Sequence, residues 1–433
     1  MLASPAFAGA AAHQRLLRHL VEQTLGGRRA ALKESVLGIE VFQRPVHSFD
    51  PKRDSIVRVE ARRLRERLRR HYAQAGGDLS VTPLMIVLPT GSYVPHFVSR
   101  AADDAQTEAT ELVERGHYFL RLGHEGGHRK ALERFESAAH HAPGLTTAHA
   151  GVARAWLQLV ATNLEPPQPG VGLALAAVYR ALKLQPAHAD SLVLAAQLKH
   201  RFEFNWPAAR ALFDRAQRAA PESAFVRHAL ALSLMMRGDF DGAEGALAAA
   251  RQIDPLHLSL RAHQALLWLY RRQWDAAEQS LLALLDLSPD NVLGMSLLGY
   301  VALCRGEAAV ALAQYGRVAA AHPQLSIGRC GQLWALAAMG RQADARQGLQ
   351  ALQRSWADGR YLSPYQLAMA ACWLHDDAQA LTLLERAVFE RDPNALCLPV
   401  DPAFDRLAQA PRFTALRRQV VGNPGARARA VLT

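Results

Sequence analysis

Over most of the chain, apolar positions return every three to four residues, in runs that end at a proline. The prolines recur at Pro186, Pro221, Pro255, Pro289 and Pro323, in steps of 35, 34, 34 and 34 residues. Between them Ala209, Ala243, Ala277, Ala311 and Ala345 stand 34 residues apart, and Phe213, Leu247, Leu281, Tyr315 and Leu349 each follow by four positions. A small residue and then a large one on the same helical face predicts a helix packed closely against a partner. Ala216 and Ala250 continue that face. Gly238, Gly306 and Gly340 fall where two paired helices must turn, a position at which a left-handed backbone is cheapest for glycine.

Less regular copies extend the array in both directions. One begins near Leu112, with Ala131, Phe135, Ala138 and Pro143, and one near Tyr361, with Ala380, Leu384 and Ala387. About eight repeats are expected over residues 111–400. The longer step from Pro143 to Pro186 places extra residues at Ala161 to Gly170, ATNLEPPQPG, as a longer loop. The closing segment, 401–433, reads as a capping helix (Asp401 to Val420) on the last apolar face, followed by a tail. The 34-residue unit resembles the tetratricopeptide repeat, whose paired helices bury their apolar face only against the next repeat. That resemblance implies an α-solenoid with a protein or peptide partner in a groove lined by the first helix of each pair. Leu232, Met235, Met236, Trp268, Leu269, Tyr300, Leu303 and Trp334 lie at positions that point either into such a groove or into the interhelix core.

The first hundred residues follow another pattern. His13–Leu25, Ala31–Phe42 and Ser55–Tyr72 read as amphipathic helices, with Asp50-Pro51 as breaker and Asp54 as N-cap. Leu84–Leu88 and Tyr93–Val98 read as strands around the turn Pro89-Thr90-Gly91-Ser92. In the third helix Val57, Ala61, Leu64 and Leu68 form one apolar stripe. Its other faces carry Arg58, Arg62, Arg63, Arg65, Arg67, Arg69 and Arg70 against only Glu60 and Glu66. Residues 101–110, small and polar, read as a linker.

Charge sharpens the division. The 433 residues carry 50 Lys+Arg, 39 Asp+Glu and a net charge of +11. Residues 1–100 hold 16 basic against 8 acidic side chains, whereas residues 101–433 hold 34 against 31. A basic excess confined to one segment is the footprint of a surface for nucleic acid or an anionic membrane.

Three helices ending in a basic one and then a hairpin is the order of a winged helix-turn-helix, whose third helix enters the major groove. The run Val57-Arg58-Val59-Glu60-Ala61-Arg62-Arg63-Leu64-Arg65-Glu66-Arg67-Leu68 and the later VLPTGSYVPHF resemble the recognition helix and wing of the OmpR/ToxR-type DNA-binding domain. Position by position, Val57, Val59, Ala61, Leu64 and Leu68 match that family's apolar positions. Arg63, Arg65 and Arg67 match its basic positions and Tyr93 its wing tyrosine. The resemblance implies duplex DNA as a partner of residues 1–100, contacted by Arg58, Arg62, Arg63, Arg65, Arg67, Arg69, Arg70, Thr90 and Tyr93. Leu16 to Phe97 also resembles an N-terminal module of bacterial tetratricopeptide and signalling proteins, some of them cyclase-related, although no cyclase residues are recognisable.

Other chemistries find no seat. His124-Glu125-Gly126-Gly127-His128 has the HExxH form of a zinc protease, but two adjacent glycines disfavour a helix, and the repeat register puts the pentapeptide in a turn. No phosphate loop, nucleophile elbow or dinucleotide fingerprint is present. Cys304, Cys330, Cys372 and Cys397 are widely spaced and read as reduced core thiols. No apolar run is long enough for a membrane span and no secretory leader is apparent. The expectation is a cytoplasmic, mainly α, non-enzymatic transcription regulator without cofactor or metal, its solenoid binding a protein or peptide, with homodimerisation plausible. The alternative is a scaffold for protein–protein interaction, in a signalling complex for example, with no nucleic-acid role.

Overall fold

The computed structural model describes residues 1–422 except 3, 75–83, 123–124 and 357–360. It contains two compact units, Met1–Glu108 and Ala109–Thr433.

In the first unit, α1 (Ala11–Leu25), α2 (Glu34–Glu40) and α3 (Ile56–Gln74) precede an antiparallel hairpin of β1 (Leu84–Val87) and β2 (His96–Ser99). Its register pairs Met85 with Val98 and Ile86 with Phe97. The apolar stripes converge as their spacing requires: Leu16, Leu17 and Leu20 of α1, Leu37 of α2, and Val57, Ala61, Leu64 and Leu68 of α3 form one core with Phe7 and Leu88. At the start of α3 the Asp54 carboxylate accepts from the Ile56 amide at 3.0 Å. Helix α2 is shorter than its apolar pattern suggests, because 29–32 turns separately as a 3-10 helix.

The segment expected to be a linker is helical, within α4 (Arg100–Arg121), and the division between the two units falls in it, after Glu108. It contains no Gly or Pro, its Ala, Gln and Glu favour helix, and Ala109, Leu112 and Val113 anchor it by burial.

Helix pairs then follow through the second unit: α4 with α5 (Glu125–His141), α6 (Thr146–Ala161) with α7 (Pro167–Leu184), α8 (Ala189–Arg201) with α9 (Trp206–Ala219) and α10 (Ala224–Met236) with α11 (Phe240–Ile253). They continue as α12 (Leu258–Tyr270) with α13 (Trp274–Leu287), α14 (Val292–Cys304) with α15 (Ala308–Ala321), α16 (Ser326–Ala338) with α17 (Gln342–Trp356) and α18 (Pro364–Trp373) with α19 (Asp377–Phe389). The repeating small and large positions are where the pairs lock. Ala209, Phe213, Ala243, Leu247, Ala277, Leu281, Ala311 and Tyr315 are all fully buried. Gly238, Gly306 and Gly340 turn the chain with φ of +82°, +82° and +77°. The equivalent turns at Phe204 and Arg272 reach φ of +53° and +62° without glycine.

Two local expectations change. The long loop shrinks to 162–166, since most of its proline-rich part opens α7. Of the HExxH pentapeptide, His124 lies outside the described residues, and Glu125 to His128 form the first turn of α5 rather than an interhelical turn. Gly127 suits that place because a Cβ there would lie 2.6 Å from the Phe119 carbonyl oxygen. Among the described residues no three metal-ligating side chains converge, and no helix is long and apolar enough to cross a membrane.

Candidate interaction surfaces

On α3 the apolar stripe faces inward and turns the arginines outward, but their surroundings divide them. Arg65 reaches the hairpin: its Nε donates to the Leu88 carbonyl at 3.0 Å, and its Nη2 donates to the carbonyls of Pro89 at 2.9 Å and Ser92 at 3.0 Å. Arg67 donates to the Ala6 carbonyl. Both are expected from the sequence to contact DNA, and both are instead consumed in holding main chain. Tyr93 is half-buried near Glu34, so that burial first and then this carboxylate push its pKa up.

The remaining arginines stay at the surface. Arg58 donates to the Pro51 carbonyl at 2.7 Å and sits 3.2 Å from Glu34. Arg63 pairs with Glu60 at 2.7 Å, and Arg69 with Glu66 at 2.6 Å. Arg62 and Arg70 are exposed and have no hydrogen bond or ion pair among the described residues. Thr90 is exposed at the hairpin turn. Glu60 is itself buried, 2.8 Å from His13, whose pKa is lowered chiefly by burial. The outward cationic set is therefore Arg58, Arg62, Arg63, Arg69 and Arg70.

In the second unit the expected groove residues also divide. Leu232, Met236 and Trp268 are half-buried. Met235, Leu269, Tyr300, Leu303 and Trp334 are buried, Met235 completely, and so are unavailable to a partner. Trp334 lies against Tyr315 of α15 and donates to the Gln366 carbonyl of α18 at 3.1 Å, while Tyr300 meets the segment that follows α19. Beyond α19, short 3-10 turns at Ala395–Cys397 and Pro402–Leu407 lead into α20 (Pro411–Val421). Leu398, Val400, Phe404, Leu407, Phe413 and Val420 join the same apolar cluster as the first helices α10, α12, α14, α16 and α18.

Polar contacts fix this strap at intervals. Asp401 is buried, accepting from the hydroxyls of Tyr300 and of Tyr365, the latter at 2.6 Å, and from the Ala403 amide at 3.0 Å. Burial is the chief influence on its carboxyl and raises its pKa against the pull of those donors. Arg272 binds the Val400 carbonyl at 2.8 Å and Asp405 at 2.7 Å, and Arg237 binds the Val421 carbonyl at 3.0 Å. Arg412 grips Glu385 through two 2.8 Å bonds. The strap is thus not the capping helix expected on the last pair alone. Pro399, Pro402 and Pro411 interrupt it, and its apolar side chains fill the longer apolar face of the first helices. Having no helical period, the strap leaves little mark in the sequence beyond Leu398-Pro399-Val400-Asp401-Pro402-Ala403-Phe404, apolar and twice broken by proline.

The four cysteines are free, and burial pushes their thiols up to about 12 for Cys304, Cys330 and Cys372 and about 11 for Cys397. Nucleophilic thiolate chemistry at neutral pH is disfavoured by that shift.

Among the described residues the second unit is thus an array of eight helix pairs, five successive copies of which repeat every 34 residues. No protein-family model matches the chain, and no curated protein does. Among solved structures it is similar to PilF of Pseudomonas aeruginosa, at 16% identity and a TM-score of 0.37, over 49% of this chain and 93% of that one. It is likewise similar to a tetratricopeptide-repeat protein of Thermus thermophilus, at 21% identity and a TM-score of 0.37, over 47% of this chain and all of that one.

Proposed function

We propose that this chain is a non-catalytic, cytoplasmic scaffold whose solenoid binds a protein segment on the first-helix face. The observation that carries this reading is the array itself: a row of first helices whose groove-directed positions have already accepted one peptide-like stretch, the strap, by burying apolar anchors around a hydrogen-bonded carboxylate. Affinity capture with the full-length protein tests it. A stoichiometric protein partner, retained after nuclease treatment and lost when Leu232, Met236 and Trp268 are replaced by Ser, is the expected result. Recovery of nothing but nucleic acid would overturn it.

A second reading is favoured by the outward arginines of α3: the first unit binds duplex DNA in the manner of a winged helix, and the protein regulates transcription. Each Lys or Arg that neutralises a phosphate releases counterion, so affinity should fall steeply with salt. Arg62 and Arg70 are the informative pair, because neither has a structural partner to lose. Replacing both with Ala should weaken retardation of duplex DNA and flatten its salt slope by about two, leaving stability unchanged. No retardation of any duplex at low salt removes this reading and leaves the scaffold.

A further inference from the structure

From α6 onward, the first helices of the second unit are poor in acids. The first helices α6, α8, α10, α12, α14, α16 and α18 contain the cations Arg154, Lys199, Arg201, Arg227, Arg261 and Arg329 and a single carboxylate, Asp190. Asp190 is already neutralised by Arg154 at 2.7 Å, and Lys199 is paired with Glu203 at 2.8 Å. The acids lie on second helices, such as Glu244 on α11, Glu278 on α13 and Asp344 on α17, in the turns between helices, and on the first helix α4 with Glu111 and Glu114. Residues 101–433 are near charge balance overall, so the cationic first-helix row reflects placement and not composition.

Within that row Arg201, at the end of α8, is half-buried, its Nε shielded from solvent, with no hydrogen bond or ion pair among the described residues, a state that Arg261 on α12 shares. Its electrostatic neighbours are His263 on α12, Tyr270, Cys397 and Asp392. Asp392 does not serve it: that carboxylate accepts from the Ser363 hydroxyl at 2.5 Å, the Tyr361 hydroxyl at 3.2 Å and the Asn394 amide at 2.9 Å. Taking a guanidinium out of water without an acceptor is costly, and its planar fork matches a carboxylate. Beyond it His228 and His263 contact each other at 2.8 Å, and Phe225, Leu232 and Leu266 are half-buried. The strap's bonds to Arg237, Arg272, Tyr300 and Tyr365 fall on or just after α10, α12, α14 and α18, and Phe225, His228 and Arg261 remain part-exposed.

We propose that the first-helix face from α8 to α12 docks an acidic polypeptide segment, one carboxylate of which takes the free guanidinium of Arg201 while neighbouring apolar side chains rest on Phe225, Leu232 and Leu266. This deepens, and rests on, the protein-binding reading of the solenoid. The strap illustrates the mode, with Asp401 as its buried carboxylate and Phe404 and Val400 as its anchors.

Fluorescence anisotropy with the full-length protein tests it. The probes are a labelled peptide of about sixteen residues mixing Asp and Glu with Leu and Phe, and its counterpart with every acid replaced by Asn or Gln. The acidic peptide is expected to bind at least about tenfold tighter, and Arg201→Gln to remove most of that difference. Because Arg201 has no partner to lose, Arg201→Gln should not lower the melting temperature. Arg201→Lys, which keeps the charge without the fork, should bind severalfold more weakly than the parent and serves if the Gln variant fails to fold. A double Arg62→Gln, Arg70→Gln variant should bind the acidic peptide like the parent. Equal binding of both peptides, unaltered affinity in the Arg201 variants, or loss of binding in the Arg62/Arg70 variant overturns the inference. The first of these leaves the protein-binding reading standing, and that reading falls only if affinity capture also yields no protein.

Discussion

Arg65 and Arg62 lie three residues apart on one helix, carry the same charge and read alike in the sequence, yet they do different work. The Arg65 guanidinium satisfies three carbonyls of the hairpin turn, so Arg65→Ala leaves buried acceptors short of a donor and should cost about 2 kcal/mol, whereas Arg62→Ala should stay within about 0.5 kcal/mol. Hydrogen exchange of the α1 to α3 amides in the full-length protein measures both, and equal losses would refute the distinction. His200 is a second case where surroundings override residue type. It is buried against Trp206, rings 5.0 Å apart, with neither nitrogen bonded, and desolvation, reinforced by Arg237 and Arg201, drives its pKa down to about 3. The folded form thus resists protonation that the unfolded chain accepts near 6.5. Its stabilising preference is intact above pH 6.5 and is lost progressively as pH falls toward 3. Relative to pH 7, the parent should therefore lose about 2 kcal/mol at about pH 5 that His200→Gln does not lose, read as a narrowing gap between their denaturation midpoints. His228 and His263 act in the same direction, while Asp392 and Asp401, raised by burial, oppose them, so the difference between parent and variant isolates His200.

Among the elements, the turns between paired helices show where local preference yields to packing. Glycine holds the left-handed position at 238, 306 and 340, as the repeat demands, but Arg272 occupies it in its own turn despite a backbone cost of about 1 kcal/mol. Its side chain supplies the reason, since it bonds to Tyr270, Val400 and Asp405 and so fastens the strap. Arg272→Gly relieves the backbone yet should speed amide exchange over 395–421 severalfold while α12 and α13 exchange as before. Unchanged exchange in the strap would show that the apolar anchors alone hold it. The same principle explains why the linker at 101–110 is helical: its composition is small and polar, but helix propensity and the burial of Ala109 decide its form.

For the molecule as a whole, the strap determines what the solenoid can offer. Asp401→Asn replaces a carboxylate that accepts from two tyrosine hydroxyls with an amide that can accept on only one side, and should destabilise the second unit by about 2 kcal/mol, seen as a lower tryptophan-monitored denaturation midpoint. No change would mean that the Tyr300 and Tyr365 hydroxyls re-pair without cost. The periodic features were legible from residues alone. The 34-residue spacing, the alanine and leucine faces, the glycine turns and the arginine helix are each written within a few turns of chain, where helical geometry converts spacing into a shared face. Which arginines remained free, which groove residues were covered, and where an aperiodic, proline-broken tail came to rest were not legible. Those outcomes depend on carbonyls and apolar surfaces brought near from far along the chain, and nothing in local spacing records the meeting of Arg65 with Leu88, 23 residues on, or of Arg237 with Val421, 184 residues on.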